Sequence, residues 1–509
     1  MTAPTKILFI IIDQLRADCL LGDLAAHVDL PNMRALMADS VTFTRHFSVA
    51  NPCGPSRASI LTGQYAMNHR SVRNGTPLRE GIPNLATELR QVGHLPLLFG
   101  YTDTSPDPRA YPPGDPALTS YEMPMRGFDE AVEMRLGRSM PWRGYLRDNG
   151  YEFAEYMDLY RPKSAPGRAP RIDDPAVYAA AHSDTAFLTD SFLSHMADRT
   201  GEGWCAHLTY IRPHPPLVAP APYNRIVDPA TLPLPRRLER PEDEVAQHPF
   251  FAPALAAATP DSMVHGLDDL PATDETVQAL RAIYLGLAAE VDHHIGRVME
   301  WLQESGQYDD TLIVLTADHG EMLGDRHAWG KMNVHDAAFH TPLVVRLPGN
   351  AARAGMQLDL PTESIDIAPT ILEWAGAVPP NSMDGHSLLP LLRGEAPQDW
   401  RTHTYSELDF GNPNAPSLWQ KALGADICAS NLAILREEQL TLVEFAADLP
   451  PILLDTREGL ALNVADRSDY AADLARMTRA MLRHRMRHMD QTLALDSITP
   501  DGPLRRPRH

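Results

Sequence analysis

The chain of 509 residues is 44% hydrophobic and carries a formal net charge of -21. That length can bury a large core, as one large α/β domain with an appendage or as several domains. The acidic balance excludes nucleic acid and anionic membrane surfaces as partners, so an anionic substrate needs a local cationic site.

The first element is the run ILFIII at 7–12, preceded by Lys6 and closed by Asp13. It has no small-residue cleavage pattern and reads as a buried strand of a parallel sheet rather than a signal peptide. No stretch approaches the roughly 20 apolar residues of a membrane span. Cys19, Cys53, Cys205 and Cys428 are too few and too far apart for a disulfide framework, which fits a reducing compartment. A cytoplasmic protein is expected.

Two proline-rich stretches, 104–117 and 213–270, lack sustained periodicity and read as long excursions over one face. Leu280, Ile283, Tyr284, Leu287, Val291, Ile295, Val298 and Leu302 step by three or four and predict a helix. A strand follows at 311–316 (TLIVLT), another at 343–347, and a helix at 365–374 with Asp366 near its start. Strands interleaved with periodic helices predict an α/β fold with a large, mostly parallel sheet sandwiched by helices. After residue 400, the segments 432–445 and 451–456 predict short strands of a smaller C-terminal antiparallel sheet, followed by a helix at 470–488. The expected units are therefore 1–399, 400–480 and a basic arm at 481–509 ending in LRRPRH. That arm is read as solvated or as a bridge in a homo-oligomer, a dimer or tetramer.

Asp13 and Gln14 follow the first strand, and Asp318 and His319 follow the strand at 311–316. Both pairs would lie at the carboxyl edge of the sheet, where such folds bind ligands. Three oxygen-bearing side chains and one imidazole converging there suit a divalent metal, although each pair alone also suits a helix cap. The segment at 51–63, NPCGPSRASILTG, predicts a helix beginning near Pro55 that aims its amides at Cys53, with Arg57 one turn on to pair an anion. On these residues alone, Cys53 reads as a low-pKa thiolate nucleophile or as a structural cysteine.

Cys53-x-Pro55-Ser56-Arg57 followed by Thr62-Gly63 resembles the formylglycine-generating signature of sulfatases, with every fixed position present. Further landmarks of that family are RPHPP at 212–216, TADHGEMLGD at 316–325, WGK at 329–331 and DGHSLLPLL at 384–392. The resemblance implies an alkaline-phosphatase-like fold and a maturation enzyme that oxidises Cys53 to formylglycine, whose hydrate is the nucleophile. It implies one divalent metal ion held by Asp13, Gln14, Asp318, His319 and the modified Cys53. Oxygen ligands favour calcium or magnesium and the imidazole of His319 favours manganese, so manganese or calcium is expected. Arg57 and Lys331 would steady the nucleophile and the transferring group, and His214, with Lys331 as rival, would protonate the leaving alcohol.

Where many sulfatases carry Gly-Lys-Trp-His, this chain has LFGYTDT at 98–104 and PDPR at 106–109. That arrangement, with Gln14, His319 and Asn74, looks like the phosphonate monoester hydrolase and phosphodiesterase branch. Asn74, Tyr101 and Asp103 are its substrate-binding candidates, and Asp103 departs from the hydroxyl residue expected there. A carboxylate near the pocket repels a dianion more than a monoanion, unless it faces away as an ordinary loop residue. The expected substrates are small monoanionic esters: sulfate esters first, with phosphonate monoesters and phosphodiesters as cross-activities or as the primary activity. Two other readings are a phosphatase using unmodified Cys53 and a non-catalytic, metal-stabilised binding protein.

Overall fold

The computed structural model describes residues 5–201, 203–457 and 459–506, so residues 507–509 of the basic tail lie outside the described residues. An eight-stranded sheet runs in the order Asp129–Glu133, Pro96–Gly100, Trp204–Tyr210, Lys6–Ile12, Thr311–Ala317, Leu343–Arg346, Val41–Phe47, Met356–Glu363. The first five are parallel, Leu343–Arg346 is antiparallel to both its neighbours, and the last two strands pair in parallel. The fold is thus mixed α/β with a mostly parallel sheet, as expected.

The continuous apolar run at 7–12 follows from cover on both faces. Leu8, Ile10 and Ile12 enter one core with Leu280, Ile283 and Leu287 of the helix Asp274–Glu304. Ile7, Phe9 and Ile11 enter the other with Ile60 and Leu61 of the helix Cys53–Thr62 and Ile367 and Ile371 of the helix Ile367–Trp374. Period-two alternation sends successive side chains to opposite faces, so both parities must be apolar here.

A six-stranded sheet, ordered Leu462–Asn463, Ile452–Asp455, Leu440–Phe445, Asn431–Arg436, Thr404–Asp409, Ala50–Asn51, lies beside the first. Its last strand pairs Ala50 with Glu407 in parallel and ends two residues before Cys53. The helix Ala471–Arg487 packs on it through Met477 and Met481. Among the described residues no helix is long and apolar enough to cross a membrane.

Candidate active site

Ile12 is in register with Tyr210 on one side and with Ala317 on the other. The residues that follow, Asp13 and Asp318, therefore emerge side by side at the carboxyl edge. The helix of Cys53 begins at that residue, two positions earlier than the sequence suggested, and every residue in it is buried. Two glycines explain its sequence. Gly63 closes the helix at φ +64, where a Cβ would stand 3.1 Å from the Met383 side chain, and a Cβ on Gly54 would stand 3.0 Å from Asn74 Oδ1 and 3.2 Å from the Asp103 carbonyl oxygen.

One ligating atom each from Asp13, Cys53, Asp318 and His319 lies within 4.8 Å of the others, and all four residues are buried. His319 Nε2 is 3.1 Å from Cys53 Sγ, while its Nδ1–H donates to the Gly320 carbonyl at 2.9 Å. Burial first, and then the Lys331 charge, lowers the His319 imidazole to about 3, so it is neutral. Burial and the Asp13 charge push the Cys53 thiol well above its usual range.

Arg57 sits behind the carboxylates, with no exposed side-chain surface. Its Nε donates to Asp318 Oδ2 at 2.9 Å and its Nη2 to Asp13 Oδ2 at 3.1 Å. Nη1 donates to Thr209 Oγ1 at 2.7 Å, and the guanidinium lies 4.1 Å from the Tyr101 ring centre. All three guanidinium nitrogens have protein partners, so the structure places Arg57 on the Asp13 and Asp318 carboxylates. Tyr101 is likewise turned inward: its hydroxyl donates to Asp13 Oδ2 and accepts from Arg57 at 3.0 Å.

The other cation faces Cys53. Lys331 Nζ lies 3.3 Å from Cys53 Sγ and donates to Gln14 Oε1 at 2.7 Å and to His214 Nε2 at 2.9 Å. Burial would lower this ammonium, but its neighbours Cys53, Asp13 and Asp318 outweigh that and raise it above its usual range. His214 is held neutral by burial and by Lys331, with its Nδ1–H donating to the Pro215 carbonyl at 2.5 Å. Asn74 Oδ1 accepts from the Gly54 amide at 2.9 Å. Asp103 adopts φ +49, is buried, and its Oδ1 has no hydrogen-bond partner among the described residues.

The structure brings Asp13, Gln14, Arg57, His214, Asp318, His319 and Lys331 together around Cys53, with Tyr101 on Asp13 and Asn74 on the Gly54 amide. Sequence reasoning missed Glu321 and Thr209 and gave Ser56, a fixed position of the signature, no role of its own. Glu321 accepts from Gln14 Nε2 through Oε2, and through Oε1 from the amides of Leu323 at 3.1 Å and Gly330 at 2.6 Å. Its position two residues after His319, within TADHGEMLGD, was the available signal. Ser56 Oγ donates to the Asp318 carbonyl at 2.6 Å.

The donor set fits a divalent cation. Arg57 takes the Oδ2 atom of each carboxylate and Glu321 takes the side-chain amide nitrogen of Gln14. Asp318 Oδ1 accepts from the backbone amides of Gln14 and His319 at 3.0 and 2.9 Å, and Gln14 Oε1 accepts from Lys331. Asp13 Oδ1, Asp318 Oδ1 and the His319 imidazole come together with Cys53. Hard oxygens with one imidazole are appropriate ligands for calcium or manganese.

Comparisons with known proteins agree with this geometry. A sulfatase family model matches residues 5–377. The multifunctional alkaline phosphatase superfamily protein PehA of Trinickia caryophylli is 38% identical over 508 residues, 98% of each chain. The choline-sulfatase of Rhizobium meliloti is 27% identical over 403 residues, 77% of this chain and 72% of that one. The structure of the phosphonate monoester hydrolase SpPMH from Silicibacter pomeroyi is 62% identical with a TM-score of 0.98, covering 99% of this chain and 100% of its own. The phosphonate monoester hydrolase of Agrobacterium radiobacter is 40% identical with a TM-score of 0.92 and 99% coverage of both. Likeness on this scale extends far beyond the motif around Cys53: the chain belongs to the sulfatase family of the alkaline phosphatase superfamily, stands beside its phosphonate monoester hydrolases, and is a hydrolase.

Proposed function

We propose that the chain is a formylglycine- and metal-dependent hydrolase of monoanionic esters, with phosphonate monoesters and phosphodiesters foremost and sulfate esters also cleaved. The observation that carries this is the buried quartet Asp13, Cys53, Asp318 and His319, with Lys331 Nζ 3.3 Å from Cys53 Sγ. The order of esters is supported by the two structural relatives at 62% and 40% identity, both phosphonate monoester hydrolases. It reverses the order expected from sequence.

In this reading a maturation enzyme converts Cys53 to formylglycine, and Asp13, Gln14, Asp318, His319 and the converted residue hold manganese or calcium. When bound, the ion favours an ionised nucleophile and offsets charge on the ester oxygens. Arg57 fixes the two carboxylates through their Oδ2 atoms, and the backbone amides of Gln14 and His319 fix Asp318 through Oδ1. The Asn74 amide oxygen holds the backbone beside the nucleophile. Lys331, kept charged, donates to the departing oxygen or a nonbridging one, and the His214 Nε2 lone pair orients its ammonium. Burial pushes the Asp103 carboxyl well above its usual range, so it is not a fixed negative charge against dianions. The C-terminal hairpin, Asp496–Thr499 with Gly502–Arg505, exposes Ile498 and supports a homo-oligomer, which sedimentation would test.

The test is a comparison of kcat/KM on phenylphosphonate monoester, phosphodiester and aryl sulfate with the same nitrophenol leaving group. The proposal expects the phosphonate ester first. An aryl sulfate preferred by more than about 10-fold, roughly 1.4 kcal/mol of transition-state binding, would make the chain primarily a sulfatase.

A further inference from the structure

A sulfate monoester keeps only oxygens on sulfur when its alcohol leaves, whereas a phosphonate monoester or phosphodiester keeps one organic group on phosphorus. A site for the latter needs room beside the nucleophile for that retained group. A cleft of about 290 Å³ opens on the segments that follow Asn74 and Asp103, lined in part by Gly75, Pro77, Ser105, Pro106, Leu118 and Tyr121, with Thr119 and Ser120 as its polar members.

The cleft begins at the supports of the nucleophile. Gly75 follows Asn74, which accepts from the Gly54 amide, and Ser105 lies two residues beyond Asp103, whose carbonyl crowds Gly54. Its walls are tied together: the Leu78 amide donates to the Ser105 carbonyl at 2.9 Å, and the Thr104 amide to the Met123 carbonyl at 3.1 Å. Ser105 Oγ is buried and has no hydrogen-bond partner among the described residues, and the same holds for Asp103 Oδ1. Tyr121 is 42% exposed, a large aromatic surface left open on the cleft. The groups proposed to serve the leaving oxygen, His214 and Lys331, come from other segments of the chain.

We infer that this cleft holds the organic group retained on phosphorus, and that Tyr121 makes it selective for an aromatic one. The inference rests on the proposed phosphonate and phosphodiester reading and deepens it. Proline and tyrosine walls offer a flat apolar surface, on which an aromatic ring gains both burial and ring–ring contact.

The experiment uses the full, formylglycine-converted, metal-loaded protein on the 4-nitrophenyl esters of methylphosphonate and benzylphosphonate, which share one leaving group. Wild type is expected to favour the benzyl substrate in kcat/KM by about 10-fold or more, mainly through KM. Tyr121→Ala should bring that ratio close to 1 and Tyr121→Phe should keep it. A ratio near 1 in wild type, or one that Tyr121→Ala leaves unchanged, overturns the inference. Should Tyr121→Ala fold poorly, inhibition of wild type by the products decides: benzylphosphonate should bind about 10-fold tighter than methylphosphonate, and equal inhibition overturns it. Failure of the underlying reading looks different, because neither phosphonate ester would be cleaved by protein that cleaves an aryl sulfate.

Discussion

Replacing Glu321 by glutamine should weaken metal binding without touching a metal ligand. Glu321 Oε1 receives two backbone amides, from Leu323 and Gly330, so the oxygen of the new amide is retained there. Its nitrogen is then forced to face Gln14 Nε2, donor against donor. Gln14 can escape only by flipping, which turns its own nitrogen toward the Lys331 ammonium, now 2.7 Å from Gln14 Oε1. Either arrangement loses a buried hydrogen bond, at about 1–3 kcal/mol. Loss of a group that orients a ligand typically lowers metal affinity about 10–100-fold, or roughly 1.4–2.7 kcal/mol. Calorimetric titration of the metal-stripped protein with manganese reads this directly, with circular dichroism to confirm the fold. Unchanged affinity in Glu321→Gln would refute the claim that Glu321 orients Gln14 toward the metal.

Arg212 anchors the His214 segment through Nη1, which donates to the carbonyls of His214 at 2.8 Å and Pro216 at 3.0 Å, while Asp184 pairs with it at 2.9 Å. Arg212→Lys should therefore lower kcat about 10-fold or more with little change in KM. Asp184→Ala, which strands a buried charge, should cost about 3–5 kcal/mol in denaturant unfolding. Burial and the neighbouring Asp184 charge raise the Glu290 carboxyl to about 8. The unfolded chain releases that proton near 4.5 while the native state keeps it to about 8, so stability falls as pH rises across that window. Glu290→Gln should flatten this part of the Tm profile, and an identical slope in both proteins would count against it. Chelation should lower Tm and abolish ester cleavage, with manganese or calcium restoring both.

What was legible in sequence was the edge of the sheet. The apolar run at 7–12 and the strand at 311–316, followed closely by Asp13 and Asp318, placed these carboxylates together because parallel neighbours in register must deliver their next residues to one edge. The strand Trp204–Tyr210 was missed because His207 and Thr209 interrupt its apolar pattern. Both are buried: His207 stacks on Phe9 at 4.6 Å, and Thr209 accepts from Arg57. Arg57 was assigned to the reacting anion because spacing gives proximity to Cys53. Only three dimensions show that Asp13 and Asp318 claim its guanidinium first. Tyr101, read as a substrate contact, lies behind Asp13 for the same reason.

The central claim is the nature of the nucleophile, and the intact mass of the peptide containing Cys53 tests it most directly. Protein made alongside a formylglycine-generating enzyme should show the mass loss of thiol-to-aldehyde conversion, with turnover proportional to the converted fraction. Full turnover by protein whose Cys53 remains a thiol would contradict the account.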